Sequence, residues 1–187
     1  MNPDPNVPTT VEEFLRWDGG GDFRWELVNG EAVRLPRDGT RAHMRTIMSL
    51  AGQLWSNLPA SDYCTGISLL AVRTSDGIRM PDLVVDRHED GDGTELTASA
   101  PILIAEVLSE WSRDRDLGEK LDDYQRIGSL RHYIVLEADE AKALHWYRTP
   151  GMEWSDPLVH GDEPFSLEFL GVSVCAGRPS LTTEMSA

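Results

Sequence analysis

The sequence predicts an α/β (α+β) domain, a sheet with helices packed on it, and three segments carry that prediction. Pro101-Ile102-Leu103-Ile104-Ala105-Glu106-Val107-Leu108 is the most apolar run of the chain, with the length and β-branched content of a strand buried on both faces. Ile47, Leu50, Leu54 and Leu58 recur at helical spacing and define an amphipathic helix from about 41 to 57. Asn29-Gly30, between Trp25-Glu26-Leu27-Val28 and Glu31-Ala32-Val33-Arg34, supplies the positive φ angles of a type I′ hairpin turn. The resulting order is hairpin, helix, strands, helix, strands around one sheet. With 187 residues, 40% of them hydrophobic, the chain can fill one core, expected over residues 10–176. Residues 1–9, rich in Pro and Asn, are expected to be disordered, and 177–187 to form a loose tail.

In chain order, Thr10-Val11-Glu12-Glu13 is a capping box, and Phe14, Leu15 and Trp17 give the short helix after it an apolar side. Pro59 helps to end the 41–57 helix. Strands are expected near 65–73, 79–86 and 101–108, the first two joined as a hairpin through Ser75-Asp76-Gly77. His88-Glu89-Asp90-Gly91-Asp92-Gly93 is an acidic surface loop without the ligand pattern or closing Glu of a calcium loop. A helix is predicted near 115–127, with Leu117, Leu121 and Tyr124 inward and Gly128 at its C-cap. Strands follow near 132–137 and 142–148, turning at Glu137-Ala138-Asp139-Glu140, and another near 165–174.

Composition narrows the function. The first twenty residues hold neither a basic n-region nor an apolar h-region, so a cytoplasmic protein is expected. No stretch approaches the ~20 apolar residues of a membrane span. Cys64 and Cys175 lie far apart, outside any zinc-type spacing, and are expected to be reduced core thiols. The net charge of −15 excludes a protein that coats nucleic acid, although not an enzyme that meets phosphate through a bound cation and a local basic patch. Fifteen Arg stand against two Lys, Lys120 and Lys142, so a lysine here marks a place where a compact ammonium is wanted.

The chemistry centres on carboxylates in apolar strands. An ionised Glu106 inside Ile104-Ala105-Glu106-Val107 costs several kcal/mol unless it is paired or holds a metal. Met80-Pro81-Asp82-Leu83-Val84-Val85 repeats the pattern with Asp82 opening the strand. If these two strands are neighbours they lie about 4.8 Å apart, close enough for both acids to reach one hard cation such as Mg2+ or Mn2+. Lys120, spaced between Leu117 and Tyr124, borders the inward helix face and suits a role beside a phosphate or its attacking water; otherwise it pairs with Asp116 or Glu119 in solvent. Glu26 is a further candidate ligand or supporting acid. His43, at the helix start, is a candidate for contact with phosphate or water. Arg34, Arg37, Arg41 and Arg45 cluster around the turn before it and form a basic patch for weak DNA binding.

At these residues the chain resembles the PD-(D/E)XK nuclease superfamily and, more narrowly, the Uma-type family of restriction-endonuclease-like proteins. The matching segments are WELVNGE, the RAH helix start, MPDLVV, IAEVLS, DLGEKLDDY and HYIVLE, which run in order over roughly residues 10–150. The resemblance implies a restriction-endonuclease-like fold, a central mixed sheet flanked by helices, and an Mg2+-dependent endonuclease acting on DNA phosphodiesters. It implies Asp82, Glu106 and the backbone carbonyl of Val107 as metal ligands and Lys120 as a catalytic lysine moved to the helix. Glu26 and His43 match further motif positions. The superfamily's lysine normally lies two residues after the acid, where this chain has Leu108, so activity depends on Lys120 replacing it in space.

Two other readings fit the same residues: an inert interaction protein whose acids and lysine form a buried ion-pair network, and a metal-dependent hydrolase of a small phosphorylated substrate. Six Trp, with Trp111, Trp146 and Trp154 near polar turns, give an expectation of a homodimer, since aromatic residues are enriched at interfaces.

Overall fold

Every residue of Pro101–Val107 is buried, as a strand covered on both faces must be. The structure, a computed structural model, describes residues 7–19, 23–36, 39–87 and 93–177. Arg37, most of the 88–93 loop, most of the expected disordered N-terminus and nearly all of the expected tail lie outside the described residues.

Helix α1 (Val11–Arg16) begins at the predicted capping box: the Glu13 N–H donates to Thr10 Oγ1 at 3.3 Å and the Thr10 N–H to Glu13 Oε2 at 3.2 Å. Strands β1 (Trp25–Val28) and β2 (Glu31–Arg34) form the hairpin, with Asn29 at φ 50° and Gly30 at φ 78°, the left-handed pair of a type I′ turn. Helix α2 (Arg41–Asn57) runs over the predicted span and buries Ile47, Leu50, Ala51 and Leu54. It is followed by β3 (Tyr63–Ile67), β4 (Val72–Arg73), β5 (Gly77–Arg79), β6 (Leu83–Arg87) and β7 (Pro101–Val107). Helices α3 (Arg113–Asp116) and α4 (Glu119–Gln125) precede β8 (His132–Leu136), β9 (Ala143–Tyr147), β10 (Leu158–His160), β11 (Phe165–Leu167) and β12 (Val172–Val174).

The central sheet is mixed and six-stranded, in the order β10-β9-β8-β7-β6-β3, with β7 and β8 parallel and every other pair antiparallel. One face carries Leu83, Val85, Leu103, Ala105 and Val107 and packs against α2 and the β11–β12 hairpin. The other carries Val84, Ile104, Tyr133 and Val135 and packs against Tyr124 of α4, with Leu117 and Leu121 alongside. Strand periodicity puts Glu106 on this second face, beneath α4.

Several expectations are corrected. The described residues build three sheets, not one: β2-β1-β5-β4 is a separate antiparallel sheet whose core is Leu27, Ala71 and Ile78, and β11–β12 is a two-stranded ribbon. The strands expected over 65–73 and 79–86 are each two strands in different sheets. The hairpin through Ser75-Asp76-Gly77 does form between β4 and β5, where β1 passes so close that a side chain on Gly77 would overlap the Leu27 carbonyl. The helix expected over 115–127 is broken at Gly118, whose φ of −123° and ψ of −98° are not helical. The strand expected over 165–174 is a hairpin turning at Gly171, φ 67°, and β10 was not anticipated because its three residues are too few for a periodic signal. Cys64 is exposed on the edge strand β3 rather than in the core, and both cysteines are free. Among the described residues no helix is long and apolar enough to cross a membrane.

Candidate active site

Strands β6 and β7 pair through Leu83 and Ala105, and extending that register by one residue sets Asp82 opposite Glu106. The β6–β7 pairing ends at Leu83 and Ala105, and on the other side the Asp82 carbonyl accepts from the Ser68 N–H, next to β3, at 3.0 Å. Each acid bonds the other's strand. The Val107 N–H donates to Asp82 Oδ2 at 2.9 Å, and the Asp82 N–H donates to Glu106 Oε2 at 3.3 Å. Both open onto a cleft of about 370 Å³, which is also lined by Val107 and, from the side of α2, by His43, Met44 and Ile47. The Thr40 hydroxyl caps α2 by accepting from the His43 backbone N–H at 3.1 Å, and the His43 Nε2 lies 3.4 Å from Asp82 Oδ1.

Behind Glu106 is a second layer. Lys120 Nζ donates to Glu106 Oε1 at 2.9 Å, sits 3.0 Å from Asp116 Oδ1 and 3.8 Å from Glu26 Oε1, and is 5% exposed. The Tyr124 hydroxyl donates to the same Oε1 at 2.9 Å. Glu26, fully buried in β1, accepts from Arg79 Nη1 at 3.1 Å, Arg115 Nη2 at 2.9 Å and the Met80 N–H at 3.1 Å. Arg79 in turn donates from Nε to Asp123 at 2.9 Å and from Nη2 to Glu119 at 2.8 Å.

The electrostatics separate these acids. Burial works to raise Glu26, but Lys120 and Arg79 outweigh it and hold its carboxyl below the usual range. Burial likewise acts against Asp82, and His43, the Val107 N–H and Lys120 reverse it. Glu106 differs: burial, reinforced by the charges of Asp116 and Asp82, overrides Lys120 and pushes its pKa up to about 8. Asp116 is raised for the same first reason, its burial. Lys120 stays protonated, because Glu106, Glu26 and Asp116 outweigh its own burial. The site is short of positive charge at Glu106.

A divalent cation fits that deficit. Among the described residues no three His, Cys, Asp or Glu side chains are arranged to hold a metal ion. The donors lining the cleft include the carboxylates of Asp82 and Glu106 and, as a candidate, the Val107 carbonyl, with the His43 imidazole beside them. That set suits magnesium, which takes one or two carboxylates and keeps its other positions for water and phosphate oxygen.

The structure therefore brings together Asp82, Glu106, Val107 and His43 in the cleft, with Lys120 and Glu26 behind them. The lysine is neither solvated nor among the residues lining the cleft. Arg34, Arg41 and Arg45 are exposed and do not line it either; Arg34 lies over the Phe23 ring at 3.5 Å. The flanking residues Leu35, Pro36 and Gly39 do line it, whereas Arg45 lines a separate depression with Asp139, Glu140 and Asp162. Sequence reasoning missed Arg24, which lines the cleft, along with Arg79, Arg115 and Tyr124. Arg79, between Ile78 and Met80 just before Asp82, carried a usable signal: an arginine among apolar residues needs an acid partner if it is buried, as it is here.

Three comparisons bear on this arrangement. The family described as "Uma2: Putative restriction endonuclease" matches residues 11–179. An uncharacterized protein of Synechocystis sp., sll1609, is 25% identical over 150 residues, covering 78% of this chain and 84% of that one. The crystal structure of a putative nuclease belonging to DUF820 from Anabaena variabilis superposes with a TM-score of 0.70 at 17% identity. It covers 90% of this chain and 96% of that one, a likeness of fold.

Proposed function

This chain belongs to the Uma2 family of restriction-endonuclease-like proteins, and we propose that it is a magnesium- or manganese-dependent endonuclease that hydrolyses DNA phosphodiesters at the Asp82–Glu106 pair. One observation carries the reading: two buried carboxylates from adjacent strands meet at the floor of a cleft, and one of them is held short of positive charge. Asp82, Glu106 and the Val107 carbonyl would hold the ion, which would supply Lewis-acid polarisation of the phosphodiester and a lowered pKa for the attacking water. His43, an imidazole on the cleft wall, takes the proton of that water as the new P–O bond forms. The leaving alkoxide takes a proton from solvent as the old P–O bond breaks. Lys120 and Tyr124 act through Glu106, fixing its carboxylate from behind.

The DNA backbone is met by arginines of the segment that leads into α2, Arg34, Arg37, Arg41 and Arg45, and the net charge of −15 keeps binding weak and salt-dependent. Supercoiled plasmid incubated with manganese tests the reading. Wild-type protein should nick it and Asp82→Asn should not. No nicking by wild type, or equal nicking by both, overturns it. The first result, together with no metal binding, is what an inert ion-pair network predicts.

A further inference from the structure

Trp111 lies in the loop after β7, is 44% exposed, and borders two spaces at once: the carboxylate cleft and an adjoining depression of about 590 Å³. The guanidinium of Arg115 lies 4.6 Å from the centre of its ring and is itself tied to buried Glu26 at 2.9 Å. A part-exposed indole with an anchored cation over its ring has the form of a base-stacking platform. Leaving so large a ring exposed costs apolar burial.

The charges nearby restrict what can lie on it. Glu110, Glu137, Asp139 and Glu140 border the depression and outnumber Arg113, which pairs with Glu137 there, so the depression repels a phosphate backbone, whereas the cleft itself holds Arg24, a cation suited to phosphate. A duplex would press its phosphates against both regions. A single unpaired nucleotide can put its base toward the depression and its phosphate toward Arg24 and the carboxylates.

We propose that Trp111 stacks an unpaired nucleobase, so that the strand presented to Asp82 and Glu106 is single-stranded or locally unpaired. The proposal rests on the nuclease reading of the cleft and adds its substrate class. The test is binding without cleavage. Fluorescence anisotropy in EDTA compares a labelled single-stranded oligonucleotide with its duplex, using the full chain and the variants Trp111→Ala and Trp111→Phe. Because Trp111 is an exposed loop residue, both variants should fold, and thermal melting verifies this.

The single strand should bind more tightly than the duplex. Trp111→Ala should weaken single-strand binding by about tenfold or more, and Trp111→Phe should keep most of it. Equal binding of the two forms, no binding of the single strand, or no effect of Trp111→Ala overturns the platform. Plasmid nicking by wild type is read separately. Nicking with unaltered binding in Trp111→Ala removes the platform alone, and the expected binding pattern without metal-dependent nicking removes the nuclease reading alone.

Discussion

Asp82 and Glu106 are each hydrogen-bonded to the backbone of the other's strand: Asp82 accepts from the Val107 N–H at 2.9 Å and Glu106 accepts from the Asp82 N–H at 3.3 Å. This reciprocal pairing holds two acids side by side where the β6–β7 pairing ends. Burial and the charge of Asp82 are among the causes that push the Glu106 pKa up to about 8, so the arrangement costs free energy and has to be maintained by the surrounding structure. It is most useful to the protein if a cation sits between the two.

Glu106→Gln should abolish metal-dependent nicking while retaining the fold at a cost of about 1–3 kcal/mol, measured by urea denaturation in EDTA. Both Glu106 oxygens accept hydrogen bonds here, and an amide offers one acceptor oxygen instead of two. Lys120 keeps Asp116 as a partner, so the ammonium is not stranded. Loss of folding would make Glu106 a structural residue first.

Lys120→Ala should cost about 3–5 kcal/mol, because it leaves Glu106, Asp116 and part of Glu26 without their shared cation. The same denaturation experiment checks this. A change within experimental error would mean that those carboxylates are held by other groups. Lys120→Arg should recover little, since a planar guanidinium does not fit a space shaped for an ammonium enclosed by three acids.

Arg24→Met should leave stability nearly unchanged and lower the salt slope of DNA binding by about one, as loss of one phosphate contact does. Replacing Arg41 and Arg45 together should lower it by about two. Binding isotherms at several salt concentrations give both slopes. An unchanged slope in the double variant would place the DNA away from these arginines.

Acid should weaken the fold through a second, separate group. His132 Nδ1 and His145 Nε2 lie 3.0 Å apart on β8 and β9, and burial lowers their pKa values to about 4 and about 3. Below the ordinary histidine pKa of about 6.5 the unfolded chain takes up protons that the native pair refuses, so stability falls as pH falls from there towards about 4. Above about 6.5 both states are neutral and the effect is gone. Melting curves between these limits should show the loss, and His145→Gln should reduce it. An identical acid limb in the variant would assign the loss to other groups.

The elements with local signals were readable from the chain: the Asn29-Gly30 hairpin, the Thr10 capping box and the α2 periodicity each depend on neighbours in sequence. So was the meeting of Asp82 and Glu106, because an acid opening one apolar strand and an acid inside the next are both costly unless shared. What was not legible depends on contacts distant in sequence. The division into separate sheets follows from β1 pairing with β5 across some fifty residues, which no periodicity encodes. The burial of Lys120 behind Glu106, rather than at the cleft, follows from the break at Gly118, which re-aims α4. Arg24 looked like any surface arginine until the fold placed it in the cleft.

A crystal soaked in manganese tests the central claim most directly, because the anomalous signal locates the ion without reference to activity. An ion within bonding distance of Asp82 and Glu106, absent from crystals of Asp82→Asn, is the expected result. A cleft without manganese in the wild-type crystal, at a concentration that supports nicking in solution, would contradict the account.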